Sequence, residues 1–184
     1  MKTYKQKFNK KFGYPLNQSN SLEQISADTG YQVSGLKIIV KKGEGAYFSN
    51  PQSVRSNVQS SKQWGIARVY SSVMGGKAKK IDEKHLKKID TSKLYKIKRY
   101  TYNQAKKLNV KVYPSQVKGK KIDVFKNGKK IATIGALGYL DYPTYIIKKG
   151  KKIADIRRLS YKKRHENNRK VKNSNGFFAD NLLW

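Results

Sequence analysis

Lys121-Ile122-Asp123-Val124-Phe125-Lys126, then Asn127-Gly128, then Lys129-Lys130-Ile131-Ala132-Thr133-Ile134-Gly135 is the stretch that decides the fold. Asn-Gly suits the two positive-φ positions of a type I′ turn, and alternating residues flank it on both sides. The reading is a β-hairpin. Upstream, Val110, Val112 and Tyr113 make a short strand stopped by Pro114. Leu94 to Tyr100 alternates enough for another strand. Thr101 and Gln104 have capping-box spacing and open a short helix ending near Asn109.

Downstream of Gly138 the pattern turns helical. Asp141 or Tyr142-Pro143 starts a turn or short helix through Lys149. Lys151 to about Asn168 is the longest helical candidate, with an apolar stripe of Ile153, Ile156, Leu159 and Tyr161 and cationic residues elsewhere. Asn175-Gly176 reads as a turn. Phe177 to Trp184 carries more apolar bulk than a solvated tail, so it is expected to dock on a core or on a partner.

The first half reads as helices. Ser21 and Gln24 form a capping-box pair, Leu22 and Ile25 share a face, and Gly30 supplies a left-handed stop. Gln32 to Lys42 places Val33, Leu36 and Ile39/Val40 on one side, with Gly43 as its end. These two helices outline a helix-turn-helix over residues 21–43, with Ile25, Tyr31, Leu36 and Ile39 in its core and Gln32, Ser34 and Lys37 on the recognition surface. Any helical hairpin gives the same outline. Residues 45–53 look like loop. Ser60 and Gln63 cap a helix through Trp64, Val69 and Val73, and Gly75-Gly76 stops it before a basic loop. Asp82 is placed to cap a short helix through Lys88. The fold class is therefore α+β, with a helical region over residues 1–92 and a strongly basic α+β region over residues 93–184.

Charge is the strongest functional signal. The 184 residues hold 42 Lys+Arg against 11 Asp+Glu, a net +31. Residues 1–92 hold 17 against 6 and residues 93–184 hold 25 against 5, so the second half carries most of the excess. Self-repulsion on this scale points to a polyanionic partner rather than to an ordinary metabolic enzyme. The absence of cysteine excludes disulfide, zinc-finger, iron–sulfur and thiol chemistry. No cofactor, metal or small-molecule substrate is expected.

The candidate phosphate contacts are Lys37, Lys41, Lys42, Arg99, Lys129, Lys130, Arg157, Arg158, Lys162, Lys163 and Arg164. Tyr95, Tyr100 and Tyr102, interleaved with Arg99, are either stacking platforms for bases or core tyrosines. Nucleic acid or an acidic protein surface is favoured over lipid headgroups, because the narrow stripe of the 151–168 helix suits packing on the domain. Catalysis finds little support. Asp123 on a strand lacks a nearby second carboxylate for a nuclease metal site, and His165-Glu166 reads as surface charge. Gly75-Gly76-Lys77-Ala78 lacks P-loop spacing. Behind Met1-Lys2-Thr3-Tyr4-Lys5 there is no apolar run, so no secretory signal is expected.

Asn50-Pro51-Gln52-Ser53-Val54-Arg55, Gln63 to Tyr70 and Gly75 to Ala78 together resemble a small basic domain encoded by large DNA viruses of protists and by some tailed phages. Lys121 to Ala132, Tyr142 to Tyr145, Arg157-Arg158 through His165-Glu166, and Ser174 to Asp180 resemble an adjoining viral domain. Neither domain has an established function, and no catalytic residue carries over. The resemblance implies a viral origin and a place in the particle, on the inner side of the capsid or core. The implied protein is a minor virion component contacting packaged nucleic acid or other capsid proteins. The alternative is a non-virion DNA-binding factor, using residues 21–43 in host cytoplasm or nucleus.

Overall fold

The computed structural model describes residues 2–184 and divides into two compact units, Met1–Ile89 and Asp90–Trp184. The first is helical and the second is built on a three-stranded antiparallel sheet, so the chain is α+β.

In the first unit, α1 (Tyr4–Lys11) opens with reciprocal capping. The Thr3 hydroxyl accepts from the Gln6 N–H, and the Gln6 side chain accepts from the Thr3 N–H. α2 (Leu22–Thr29) starts at Ser21, whose hydroxyl accepts from the Gln24 N–H, and ends at left-handed Gly30, as the sequence predicts. The buried core is Phe8, Ile25, Leu36, Ile39, Val69 and Tyr70. Beside it, buried Asn20 donates to Asn9 at 2.7 Å and to the Tyr70 hydroxyl at 3.2 Å. Asn9 in turn donates to the Leu16 and Gln18 carbonyls, which pins the α1–α2 loop.

α3 (Val33–Ser49) runs past Gly43 rather than stopping there, and residues 45–49 are helix rather than loop. Only Pro51–Ser53 forms a short 3₁₀ turn. Gly43 is buried against α4 (Ser61–Val73). A Cβ on Gly43 would lie 2.6 Å from the Gly65 Cα, and one on Gly65 would lie 2.7 Å from the Val40 carbonyl oxygen. The glycine thus permits two helix backbones to touch, and packing outweighs the roughly 1 kcal/mol of helix propensity it gives up. Gly43→Val is expected to push the helices apart and lower stability by about 1–3 kcal/mol. An unchanged urea midpoint in that variant would contradict the close approach.

α5 (Lys77–Asp82) occupies what reads as a basic loop, and a 3₁₀ turn, Glu83–His85, follows. Asp82 does not cap a helix with its side chain. Its carboxylate is buried and turned inward to Arg68 and Ser72.

In the second unit, residues 94–98 form no strand. The segment is irregular, and Tyr95 and Ile97 pack against the sheet core as side chains. α6 (Arg99–Lys107) begins two residues before Thr101, so Thr101 is not its cap. The buried Thr101 hydroxyl donates instead to the Leu182 carbonyl at 2.8 Å.

β1 (Lys111–Pro114), β2 (Lys120–Lys126) and β3 (Lys129–Ala136) form the sheet in the order β1-β2-β3. Asn127 and Gly128 both have positive φ, 50° and 77°, as the hairpin reading requires. Val124 pairs with Ala132 and Phe125 with Lys130, so Ile131 is an extra residue in a bulge and points out of the ladder. One sheet face packs Val112, Ile122, Val124, Ala132 and Ile134 against Ala105 of α6 and Phe178, Leu182 and Leu183 of α9 (Asn175–Leu183). Asn175-Gly176 is therefore not a free turn but the first turn of α9, capped by the Ser174 hydroxyl. The apolar C-terminus docks on the protein's own core.

α7 (Tyr142–Arg164) folds back on itself at Gly150, whose φ of 79° and ψ of 163° no helix tolerates. The guanidinium of Arg158 lies 4.6 Å from the Tyr142 ring centre. Sixteen residues of straight helix would separate them by about 24 Å. Tyr142 also donates to Asp155 at 2.8 Å. Trp184 stacks on Tyr161 at 4.5 Å and meets Tyr145 at 6.1 Å, so it touches both arms, 142–149 and 151–164. The second arm stops at His165, and α8 (Glu166–Lys170) is separate. Of the expected apolar stripe only Tyr161 packs, on Trp184. Ala154 is the buried residue of that arm, while Ile153, Ile156 and Leu159 are exposed.

Candidate nucleic-acid interface

The eleven candidate cations separate into two sets once their partners are known. Four have partners within the fold. Lys42 lies 3.5 Å from the Asp82 carboxylate, which is fully buried and held in a two-pronged contact by Arg68 at 2.8 and 2.9 Å. Ser72 donates to the same carboxylate. Burial pushes the Asp82 carboxyl up, but Arg68, Ser72 and Lys42 outweigh it and hold it below the usual carboxylate range. Lys130 sits 3.7 Å from Asp123, Lys162 sits 3.3 Å from Asp180, and Arg158 lies on Tyr142.

The other seven are exposed. Lys37 and Lys41 share the outer face of α3 with Ser34 and Ile38. Arg99 begins α6, and Lys129 follows the hairpin turn opposite Lys126. Like charges paired across strands repel, so that end of the hairpin favours a counter-anion. Arg157, Lys163 and Arg164 are exposed on the second arm of α7, with Arg157 and Arg164 two helical turns apart on one face. Sequence reasoning missed Lys148, Lys149, Lys151 and Lys152, which crowd the fold-back around Gly150. The signal was present as Lys-Lys-Gly-Lys-Lys.

The helix-turn-helix outline is partly occupied. Gln32 gives its backbone N–H to the Lys87 carbonyl and its side-chain amide to the Lys88 carbonyl. A side chain on Gly35 would overlap the His85 carbonyl. A recognition helix reads bases with its N-terminal residues, and segment 85–88 lies over part of that end of α3. Ser34 and Lys37 remain exposed.

Asp123 accepts from the Ser115 hydroxyl at 2.9 Å and the Thr133 hydroxyl at 2.6 Å, so its surroundings are those of a structural carboxylate. Among the described residues no group of three His, Cys, Asp or Glu side chains is placed to hold a metal ion. Tyr95 is a core residue whose hydroxyl donates to Asp141 at 2.6 Å; burial, then the Asp141 charge, pushes it up. Tyr100 packs on Tyr142, and of the three tyrosines Tyr102 alone is exposed.

A buried charge cluster on the second sheet face had no sequence signal. Lys121 reaches Asp141 at 2.5 Å, with side-chain exposures of 5% and 2%. Asp141 also caps α7 through the Thr144 N–H.

What this defines is a basic α+β protein with two apolar cores, buried carboxylates paired at Asp82 and Asp141, and many exposed lysines and arginines. A family model described as a family of unknown function (DUF5824) matches residues 1–92, half of the chain, and the chain belongs to that family. No curated protein matches the chain, and no solved structure does.

Proposed function

We propose that this is a small, non-enzymatic structural protein of a virus particle. It contacts packaged nucleic acid, or acidic capsid partners, through its exposed cations and without reading sequence. One observation carries the reading. Even if each of the 11 carboxylates neutralised one cation, 31 positive charges would remain, and the carboxylates at Asp82, Asp123, Asp141 and Asp180 are already committed to pairs within the fold. Folding does not relieve the excess, whereas a phosphate backbone does so by releasing its counterions. The viral setting rests on the resemblance of the quoted segments. The occupied end of α3 favours this reading over a sequence-specific factor.

Affinities for unrelated duplexes are expected to agree with one another. They should fall by roughly 10³–10⁵ between about 50 and 200 mM salt if some six to ten phosphates are contacted. Fluorescence anisotropy on two duplexes of different sequence measures both. Strong restriction to one duplex, or binding that ignores salt, would overturn the proposal.

A further inference from the structure

We propose that the folded-back helix α7 is a docking face for an anionic bilayer, a partner beyond the nucleic acid of the preceding reading. The inner side of the fold-back is filled by Tyr142, Ala154 and Trp184, so the outer side is held outward. On the second arm Ile153, Ile156 and Leu159 fall opposite buried Ala154 by helical spacing and are 42%, 52% and 69% exposed, and the first arm exposes Ile147 at 71% and Ile146 at 37%. Within residues 142–164 there are nine Lys or Arg and one acid, Asp155, whose carboxylate is already held by Lys151 and Tyr142.

Aliphatic side chains amid lysines and arginines are the composition of a helix that lies in the headgroup layer. The aliphatics enter the acyl boundary, and the long cationic side chains reach back to anionic headgroups. No helix among the described residues is long and apolar enough to cross a membrane, which fits a surface contact. Phosphate contact explains the cations but gives the isoleucines and Leu159 no role, since bases stack on aromatic rings. A second copy fits worse, because it would set two strongly cationic faces against each other.

The experiment uses the full chain and extruded vesicles of phosphatidylcholine, with and without about one-third phosphatidylserine, in a co-sedimentation assay near physiological salt. The comparison is the triple variant Ile147→Gln, Ile156→Gln, Leu159→Gln, which keeps every charge. Because these side chains are exposed, its circular dichroism and melting temperature should match wild type. Wild type is expected to bind the phosphatidylserine vesicles and not the neutral ones. The variant should partition roughly tenfold less or worse, while its affinity for duplex DNA stays within about twofold.

Equal vesicle binding by both proteins would reduce the contact to charge alone and overturn the proposal. So would failure of wild type to bind. A variant that loses DNA binding would assign the face to nucleic acid instead, and one that abolishes self-association seen by sedimentation would assign it to a second copy. Salt-sensitive DNA binding is measured in the same preparations, so a failed vesicle assay leaves the nucleic-acid reading standing.

Discussion

Deletion of residues 177–184 is expected to unfold the second unit rather than trim it. Phe178, Leu182 and Leu183 are 2%, 0% and 2% exposed and close one face of the sheet. Truncating a buried Phe typically costs about 3–5 kcal/mol and a buried Leu about 2–5 kcal/mol. Together these, about 7–15 kcal/mol, are comparable to the roughly 5–15 kcal/mol of net stability of a whole domain. The deletion also strips the Leu182 carbonyl from the buried Thr101 hydroxyl, and Trp184 from both arms of α7. Hydrogen exchange of residues 111–136 should become fast, and the thermal transition of that unit should vanish from the circular-dichroism melt. Phe178→Ala alone should lower the melting temperature by more than about 10 °C. A truncated chain that melts within a few degrees of wild type would show that the terminus is not part of the core.

Lys121→Met is the second large effect. The substitution keeps the apolar stem and removes the charge, which leaves Asp141 buried with its cation gone. Breaking a buried pair this way costs about 3–5 kcal/mol. Burial pushes the Asp141 carboxyl up, but Lys121, Thr144 and Tyr95 outweigh it and hold the carboxyl below its ordinary range. Its folded value is depressed. The stability it confers is therefore present above the ordinary carboxylate pKa and is lost as pH falls through the lower, folded value. The deficit of the variant should accordingly be full near neutrality and close only as pH falls below the ordinary carboxylate range, toward the depressed value at which Asp141 takes up a proton and leaves Lys121 no charge to meet. Urea unfolding across pH reads this directly. A deficit below about 1 kcal/mol, or one that ignores pH, would contradict the pair's role.

The features legible in the sequence are those decided by a few adjacent residues. Asn127-Gly128 selects the hairpin, Ser21 and Gly30 bound α2, and Ser60 opens α4. α1 carried the same kind of signal in Thr3 and Gln6, but with Phe8 as its single buried apolar residue the periodicity is thin. Elsewhere tertiary contacts override local pattern. Gly43 looks like a helix terminator because nothing nearby in sequence announces Gly65 pressing on it. Leu94 to Tyr100 alternates, yet no strand pairs with it, and its rings and aliphatics serve as a lid on the core.

For the candidate site, exposure depends on contacts that are distant or hidden in the sequence. Lys42, Lys130, Arg158 and Lys162 have partners within the fold, 18 residues away in the case of Lys162, which composition alone does not reveal. Conversely, a stripe at helical spacing is read as buried, and Ile153, Ile156 and Leu159 became exposed because α7 folds back and buries its Ala154 side instead.

The central claim is that the exposed cations, and not those paired within the fold, bind polyanion. The most direct measurement is the slope of log affinity against log salt for one duplex, taken for wild type and for the variant Lys129→Gln, Arg157→Gln, Lys163→Gln, Arg164→Gln. If each of the four neutralises a phosphate, the slope should become shallower by up to about 3.6, at about 0.9 per contact, with the melting temperature unchanged. A slope identical to wild type in a normally folded variant would contradict the claim.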